Sequence, residues 1–203
     1  MPRPRVHDDA LRTRLLQEAS RVIAEDGPAR LTVRDVAARA GTSASAVYAL
    51  FGGRDELVAA VGAEAFRRFA AHLGSAGRTD DPVADLLALG LAYRTSALAD
   101  PHFYRVMFGT GGVGARTASG PPVTARPTYV ALRDAVARVL RDGGAPDAAA
   151  DEAAAAPALA LWGLAHGLVE LELGGLLPGS PDERAQRYEA ALRAVGAGVL
   201  APS

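Results

Sequence analysis

Apolar residues recur at intervals of three and four along almost the whole chain. Leu11, Leu15, Ala19, Val22 and Ile23 share one stripe, with Arg12, Arg14, Gln17, Glu18 and Arg21 between them, which is the period of an amphipathic helix. Gly27-Pro28 ends that helix. Thr32 stands three residues before Asp35, so its hydroxyl can accept from a free backbone N–H and open a short helix that buries Val33, Val36, Ala37 and Ala40. The pattern breaks at Gly41. Ser43 is placed to cap a third helix carrying Val47, Leu50 and Phe51, which stops at Gly52-Gly53. A fourth helix, from about Arg54 to His72, sets Leu57, Val61, Ala65 and Phe69 on one face.

Later boundaries are written in proline. Asp81-Pro82, Asp100-Pro101 and Ser180-Pro181 each read as an N-cap followed by the first helical residue. They predict helices over about 82–99, 101–108 and 181–200, with another at 127–142 between Pro127 and Gly143. The stretch 147–176 is a long apolar run that Pro157 is expected to interrupt. Leu159, Leu161, Trp162, Leu164, Leu168, Leu171 and Leu173 leave it apolar on nearly all sides, as suits a core helix or one between subunits. No hairpin signal or β-α alternation occurs, so the expected fold class is all-α. Residues 109–126, with five Gly and a Pro-Pro, predict a loop whose order stays open.

Composition narrows the chemistry. All 22 basic residues are Arg, there is no Lys and no Cys, and 49% of the 203 residues are apolar. Disulfides, thiolate nucleophiles, Cys-based metal sites and lysine-dependent mechanisms are therefore excluded. No run has the length and composition of a membrane span, and Met-Pro-Arg-Pro-Arg lacks the apolar stretch of a signal peptide, so a cytoplasmic protein without a membrane partner is expected. The net charge of −1 hides an asymmetry: residues 1–54 carry +3 and the rest −4. That surplus is compatible with an anionic partner and equally with a solvated face.

Catalytic motifs are absent. Gly109-Thr-Gly-Gly-Val-Gly114 matches G-x-G-x-x-G, but the dinucleotide fingerprint needs a helix opening at the last glycine, and Ala-Arg-Thr-Ala-Ser-Gly-Pro-Pro cannot start one. His7, His72, His102 and His166 show no metal-ligand spacing. No nucleophile elbow and no Walker lysine occurs. We expect no catalytic residues, no metal, no cofactor and no enzymatic activity.

Residues 31–57 are more specific. Two short helices joined by a turn containing Gly41, the second capped by Ser43, have the layout of a helix-turn-helix. Burying Val33, Val36, Ala37, Val47 and Phe51 would leave Ser43, Ala44, Ser45 and Tyr48 facing outward. An ordinary helical hairpin would look the same up to this point. However, Leu31-Thr-Val-x-Asp-Val-Ala-x-x-Ala-Gly-Thr-Ser, then Val47-Tyr-x-x-Phe51, then Arg54-Asp-Glu-Leu57, strongly resemble the TetR family of bacterial transcriptional regulators. Leu161-Trp-Gly-Leu-Ala-His-Gly-Leu-Val169 is similar to the Trp-His-Gly type of effector domain in that family.

The resemblance implies a helix-turn-helix DNA-binding domain over 1–55 and a helical effector-binding and dimerisation domain over 56–203. It makes Thr32, Tyr48 and Arg54 phosphate contacts, with a solvated charge beside Asp55 and Glu56 as the other reading of Arg54. Base reading would fall to Ser43, Ala44 and Ser45, with Arg34 the one long fork available for a guanine edge. Leu50 departs from the His or Tyr frequent at that place in relatives, which removes one contact. Arg3, Arg5, Arg12 and Arg14 could track a phosphate strand or form a solvated arm. A homodimer through about 158–176 and 181–200 would bind double-stranded DNA at an inverted repeat, its recognition helices roughly 34–36 Å apart. A small, largely apolar effector would release it, most simply as a repressor. Tyr93, Phe103, Met107, Tyr129, Trp162 and His166 are the candidate effector residues, and Trp162 and His166, four apart, share a helix face. The competing class is a helical small-molecule-binding or enzyme-like protein that uses the hairpin only structurally.

Overall fold

The computed structural model describes residues 5–109 and 126–200, with side chains from Asp8 onward. Arg3, the Arg5 side chain, and residues 110–125 of the expected loop lie outside the described residues. Every regular element among the described residues is helical, as the periodicity requires: α1 (Arg5–Asp26), α2 (Val33–Arg39), α3 (Ala44–Phe51), α4 (Arg54–Gly74), α5 (Pro82–Ala99), α6 (Pro101–Phe108), α7 (Pro127–Asp142), α8 (Asp147–Ala153), α9 (Ala155–Leu173) and α10 (Pro181–Val199), with a 3-10 turn at Pro28–Arg30. Arg12 and Arg14 are thus turns of a helix and not part of a loose arm.

Caps explain most boundaries. Asp81 Oδ1 accepts from the Val83 and Ala84 N–H groups at 3.0 and 2.9 Å, and Ser180 forms a full capping box with Glu183. Asp100 departs from expectation. Its carboxylate makes no cap hydrogen bond and pairs instead with Arg68 at 3.2 Å. The apolar run 147–176 also breaks earlier than expected. The chain bends by 40° at Ala154, whereas Pro157 sits inside the first turn of α9, where its missing N–H has no intrahelical partner to lose. No single helix among the described residues is long and apolar enough to cross a membrane; the bent pair α8–α9 reaches that length and composition only together.

The described residues fall into two compact units, one taking 5–69 with 100–109 and the other 70–99 with 126–200. The division expected at 55/56 concerned function, and these packing units cut the chain elsewhere. In the first unit α1 packs against α2, α3 and α6. Leu15, Val22, Leu31, Val36, Val47 and Leu57 are at most 2% exposed there, each contributing about 2 kcal/mol of transfer free energy.

In the second unit α5 packs against α7, α9 and α10, and α7 also against α8 and α9. Tyr129, Val136, Ala154, Ala158 and Leu161 form its core. Helices α5 and α10 approach closely because residue 90 is glycine: a Cβ there would lie 2.6 Å from Leu192 Cδ1. At the same place the Tyr188 hydroxyl donates to the Gly90 carbonyl at 2.9 Å. Burial raises the Tyr188 pKa above that of an ordinary phenol, so the donor stays protonated.

Candidate nucleic-acid interface and effector site

The helix-turn-helix hairpin is built by two side-chain caps and one glycine. Thr32 Oγ1 accepts from the Asp35 N–H at 3.2 Å and starts α2. Gly41, at φ 66°, makes the turn in a region that only glycine enters freely. Ser43 Oγ then accepts from the Ala46 N–H at 3.3 Å and starts α3. Val33, Val36, Ala37 and Val47 face inward. The remaining face presents Ser43 and Ser45, whose hydroxyls lie 2.8 Å apart, and Tyr48, which is 55% exposed. Ala44 is half-buried beside them. An aromatic side chain so open to water, on a helix whose opposite face buries Val47 and half-buries Leu50 and Phe51, costs apolar exposure that its own unit does not relieve.

Arg34 is exposed and makes no hydrogen bond or ion pair with any described residue, so its five donors are available to a partner. Arg39, one turn on, is held by Asp35 at 3.0 Å. Arg12 lies over the Phe51 ring at 4.9 Å, which binds α1 to the end of α3. Arg54 is half-exposed, and it is tied back onto the hairpin as well as to its acidic neighbour. Its Nε donates to the Leu31 carbonyl at 3.0 Å, a second donor reaches the Pro28 carbonyl, and a third meets Asp55 at 2.7 Å.

Four of the six candidate effector residues come together in the second unit. The rings of Tyr129 and Trp162 meet edge to face at 6.2 Å, and those of Trp162 and His166 lie 5.7 Å apart. His166 Nδ1 is 3.1 Å from the Tyr93 hydroxyl. Tyr129 itself donates to the Ala155 carbonyl at 3.3 Å. Phe103 and Met107 belong to the first unit, where the Arg68 guanidinium covers the Phe103 ring at 4.4 Å. Burial lowers the His166 pKa, opposed by the Glu170 carboxylate, so the imidazole is neutral near pH 7. Glu170, a long charged side chain, lies one turn beyond His166 on the same side of α9.

Residues 15–61 match the family model for bacterial regulatory proteins of the tetR family, and residues 86–195 match that of the tetracyclin repressor-like C-terminal domain, more than half of the chain. The chain belongs to the TetR family. Helices α1–α3 form the helix-turn-helix DNA-binding domain of this TetR-family regulator. The C-terminal match carries the broader repressor-like description and not the Trp-His-Gly type suggested by Leu161–Val169.

Solved structures agree on the fold. A protein of unknown function from Rhodococcus sp. RHA1 is 27% identical, with 94% of this chain and 96% of that one covered at a TM-score of 0.65. A TetR-like transcriptional regulator from the same organism is 19% identical over the full length of both chains, with a TM-score of 0.71. A variant of TetR from Acinetobacter baumannii AYE, in complex with minocycline, is 19% identical over 91% of this chain and 93% of that one, with a TM-score of 0.57. Comparison with the curated proteins finds no match.

Two polar clusters of this TetR-family chain were not legible in the sequence. Glu172 is 6% exposed and receives Arg94 through two bonds of 2.7 Å and Arg184 at 3.2 Å, joining α5, α9 and α10. Arg94, first among its partners, holds the Glu172 carboxyl below the usual range. Asp85 accepts from the Thr79 N–H and hydroxyl and from Arg138 at 2.7 Å. Those bonds, Arg138 first, lower its pKa to about 2. Arg138 also lines a groove of about 430 Å³ with Arg78, Arg133, Asp134, Arg141 and Asp151. Its other arginines are mostly paired within the protein, Arg141 with Asp147 and Asp151 and Arg133 with Asp134. Residues so far apart in sequence carry no spacing that could announce them.

Proposed function

We propose that this TetR-family regulator is a cytoplasmic, homodimeric repressor that binds an inverted-repeat operator and is released by a small, largely apolar effector. The observation that carries the DNA part is the outer face of α2–α3: Tyr48 and Arg34 stand exposed and unsatisfied on a hairpin whose inner face is closed. Thr32 and Tyr48 suit phosphate oxygens, while Arg34, Ser43, Ser45 and the Ala44 methyl suit base edges. A gel-shift titration with the DNA flanking its own gene, repeated across salt, tests this directly. Binding that weakens steeply with salt and survives competitor DNA supports operator recognition; no shift at low salt defeats it.

Dimerisation through α9 and α10 is supported by small residues on their outer faces. Ala156, Ala160 and Gly163 are exposed on α9, as are Ala190, Ala194 and Ala197 on α10. Leu159 and Leu171, at 51% and 40% exposure, flank the α9 strip and have no apolar cover of their own. Two copies related by a twofold axis would bury this face against itself.

The effector part rests on the aromatic row Tyr129, Trp162, His166 and Tyr93. Its walls are apolar, its imidazole is neutral, and Glu170 is the charge nearest it on that face of α9. An anionic ligand would lose hydration and meet a carboxylate, so an uncharged molecule with one or two polar groups fits best. A small-molecule effector is supported by the fold relative from Acinetobacter baumannii AYE, which is in complex with minocycline. No chemistry on the effector is required: a ligand that prefers the conformation with the wrong recognition-helix spacing lowers operator affinity by linkage alone.

A further inference from the structure

Arg54 opens α4 and reaches back across the hairpin. Its Nε–H donates to the Leu31 carbonyl, 23 residues earlier, and one terminal nitrogen to the Pro28 carbonyl, 26 residues earlier. A guanidinium offers five donors in a rigid plane. Three are committed here, two of them to the backbone carbonyls of Pro28, which opens the 3-10 turn before α2, and of Leu31, which follows it.

The Leu31 carbonyl matters because of what shares its peptide plane. The unit joining Leu31 to Thr32 is planar, so a bond that fixes the Leu31 oxygen also fixes the direction of the Thr32 N–H. Leu31 is 1% exposed, its side chain sealed in the core, so this peptide is anchored from two sides. Thr32 caps α2 through the Asp35 N–H, and Arg34 follows two residues on. The orientation of α2 and of its one unpaired arginine therefore depends on a peptide that Arg54 holds.

We infer that Arg54 is a positioning residue for operator recognition: it sets Thr32 and Arg34 through the Pro28 and Leu31 carbonyls instead of neutralising a phosphate itself. This rests on the DNA-binding reading above. A lysine could replace a phosphate contact as a point charge, but a single ammonium cannot reproduce the planar fork onto two carbonyls and Asp55.

The experiment compares full-length wild type, Arg54→Lys and Arg54→Ala on the same flanking DNA across a salt series. Amide hydrogen exchange of residues 29–35 is followed in parallel without DNA. If Arg54 positions, both variants bind about tenfold more weakly, both keep the wild-type salt slope, and both lose protection in that segment. If Arg54→Lys binds like wild type while Arg54→Ala loses about one unit of slope, with protection unchanged in both, the residue is a phosphate contact and the inference is overturned. Should Arg54→Ala lose its far-UV helix signal, Arg54→Lys alone decides between the same two outcomes. Wild type that fails to bind DNA would defeat the DNA-binding reading separately, and unchanged amide protection in Arg54→Lys would still overturn the clamp.

Discussion

The Tyr93 hydroxyl and His166 Nδ1 lie 3.1 Å apart, joining α5 to α9 across 73 residues of sequence. Trp162, one turn before His166, extends that contact to Tyr129 on α7. Three helices of the second unit thus meet on one row of rings. A ligand that separates or tilts any of these rings moves helices and not only side chains, because packed interiors respond as units.

The single Trp makes that row observable. Titration with a panel of uncharged, largely apolar compounds is expected to change Trp162 emission and to release DNA over one concentration range. His166→Ala should weaken release by about tenfold while leaving DNA affinity without ligand unchanged. Loss of the cooperative melting transition in His166→Ala would make the histidine a packing residue. Glu170→Gln refines the test: it should improve binding of any compound carrying partial negative charge, since the carboxylate no longer opposes it.

Acid stability separates two groups with different windows. Asp85 has a folded pKa of about 2 against the ordinary 3.8, so the unfolded chain takes up its proton first as pH falls. Its contribution is complete above about pH 4 and disappears between about pH 4 and 2. The urea midpoint of Asp85→Asn should lie below wild type at pH 7, and the gap should close through that window. His166 acts in a higher one. Its folded pKa is also lowered, which for a histidine favours the neutral form in the folded state, so its contribution is present above about pH 6.5 and falls as pH drops below it. His166→Gln should flatten that segment of the pH profile and leave the Asp85 segment intact. A gap in Asp85→Asn that stays constant down to pH 2 would mean that its bonds do not depend on ionisation.

What the sequence made legible follows from the range of each interaction. Caps act over three residues, so Thr32, Ser43, Asp81 and Ser180 could be read directly. The hairpin could be read because its inward residues repeat at helical spacing within twenty positions. Arg54 could not be placed, since its partners are backbone carbonyls and every residue has one. Glu172 gave no sign of Arg94, 78 positions away. Phe103 and Met107 were assigned by residue type alone, and type does not say which unit a buried aromatic or methionine belongs to. Ala154 broke the long apolar run where no Gly or Pro marked it, because Pro157 fits a first helical turn.

Base reading and phosphate gripping should divide between Arg34 and Tyr48. Arg34→Ala is expected to relax preference at one base pair, costing about 1–3 kcal/mol on the preferred operator and little on a variant at that position. Tyr48→Phe removes one hydroxyl donor and should weaken binding to both sequences equally. Binding curves against the operator and a set of single-base variants distinguish the two. Equal losses on every sequence for Arg34→Ala would return Arg34 to the phosphate backbone and leave specificity to DNA shape.

The outer faces of α9 and α10 present small side chains where a second copy would have to approach. At Gly163 and Gly167 an added Cβ would meet nothing within 4 Å in this protomer. Ala194 is exposed on the neighbouring helix, so a longer residue there is harmless to the monomer but would stand in a helix–helix contact between copies. Ala194→Glu should therefore keep wild-type helix content and melting by circular dichroism while sedimenting as a monomer at micromolar concentration. Its DNA affinity should fall by far more than tenfold, because a single hairpin engages one half-site and forfeits the second. The matched control is Ala194→Ser, which stays small and should remain dimeric. An Ala194→Glu protein that still sediments as a dimer with full DNA affinity would place the subunit contact on another face, and the exposed Leu159 and Leu171 would then need a different partner.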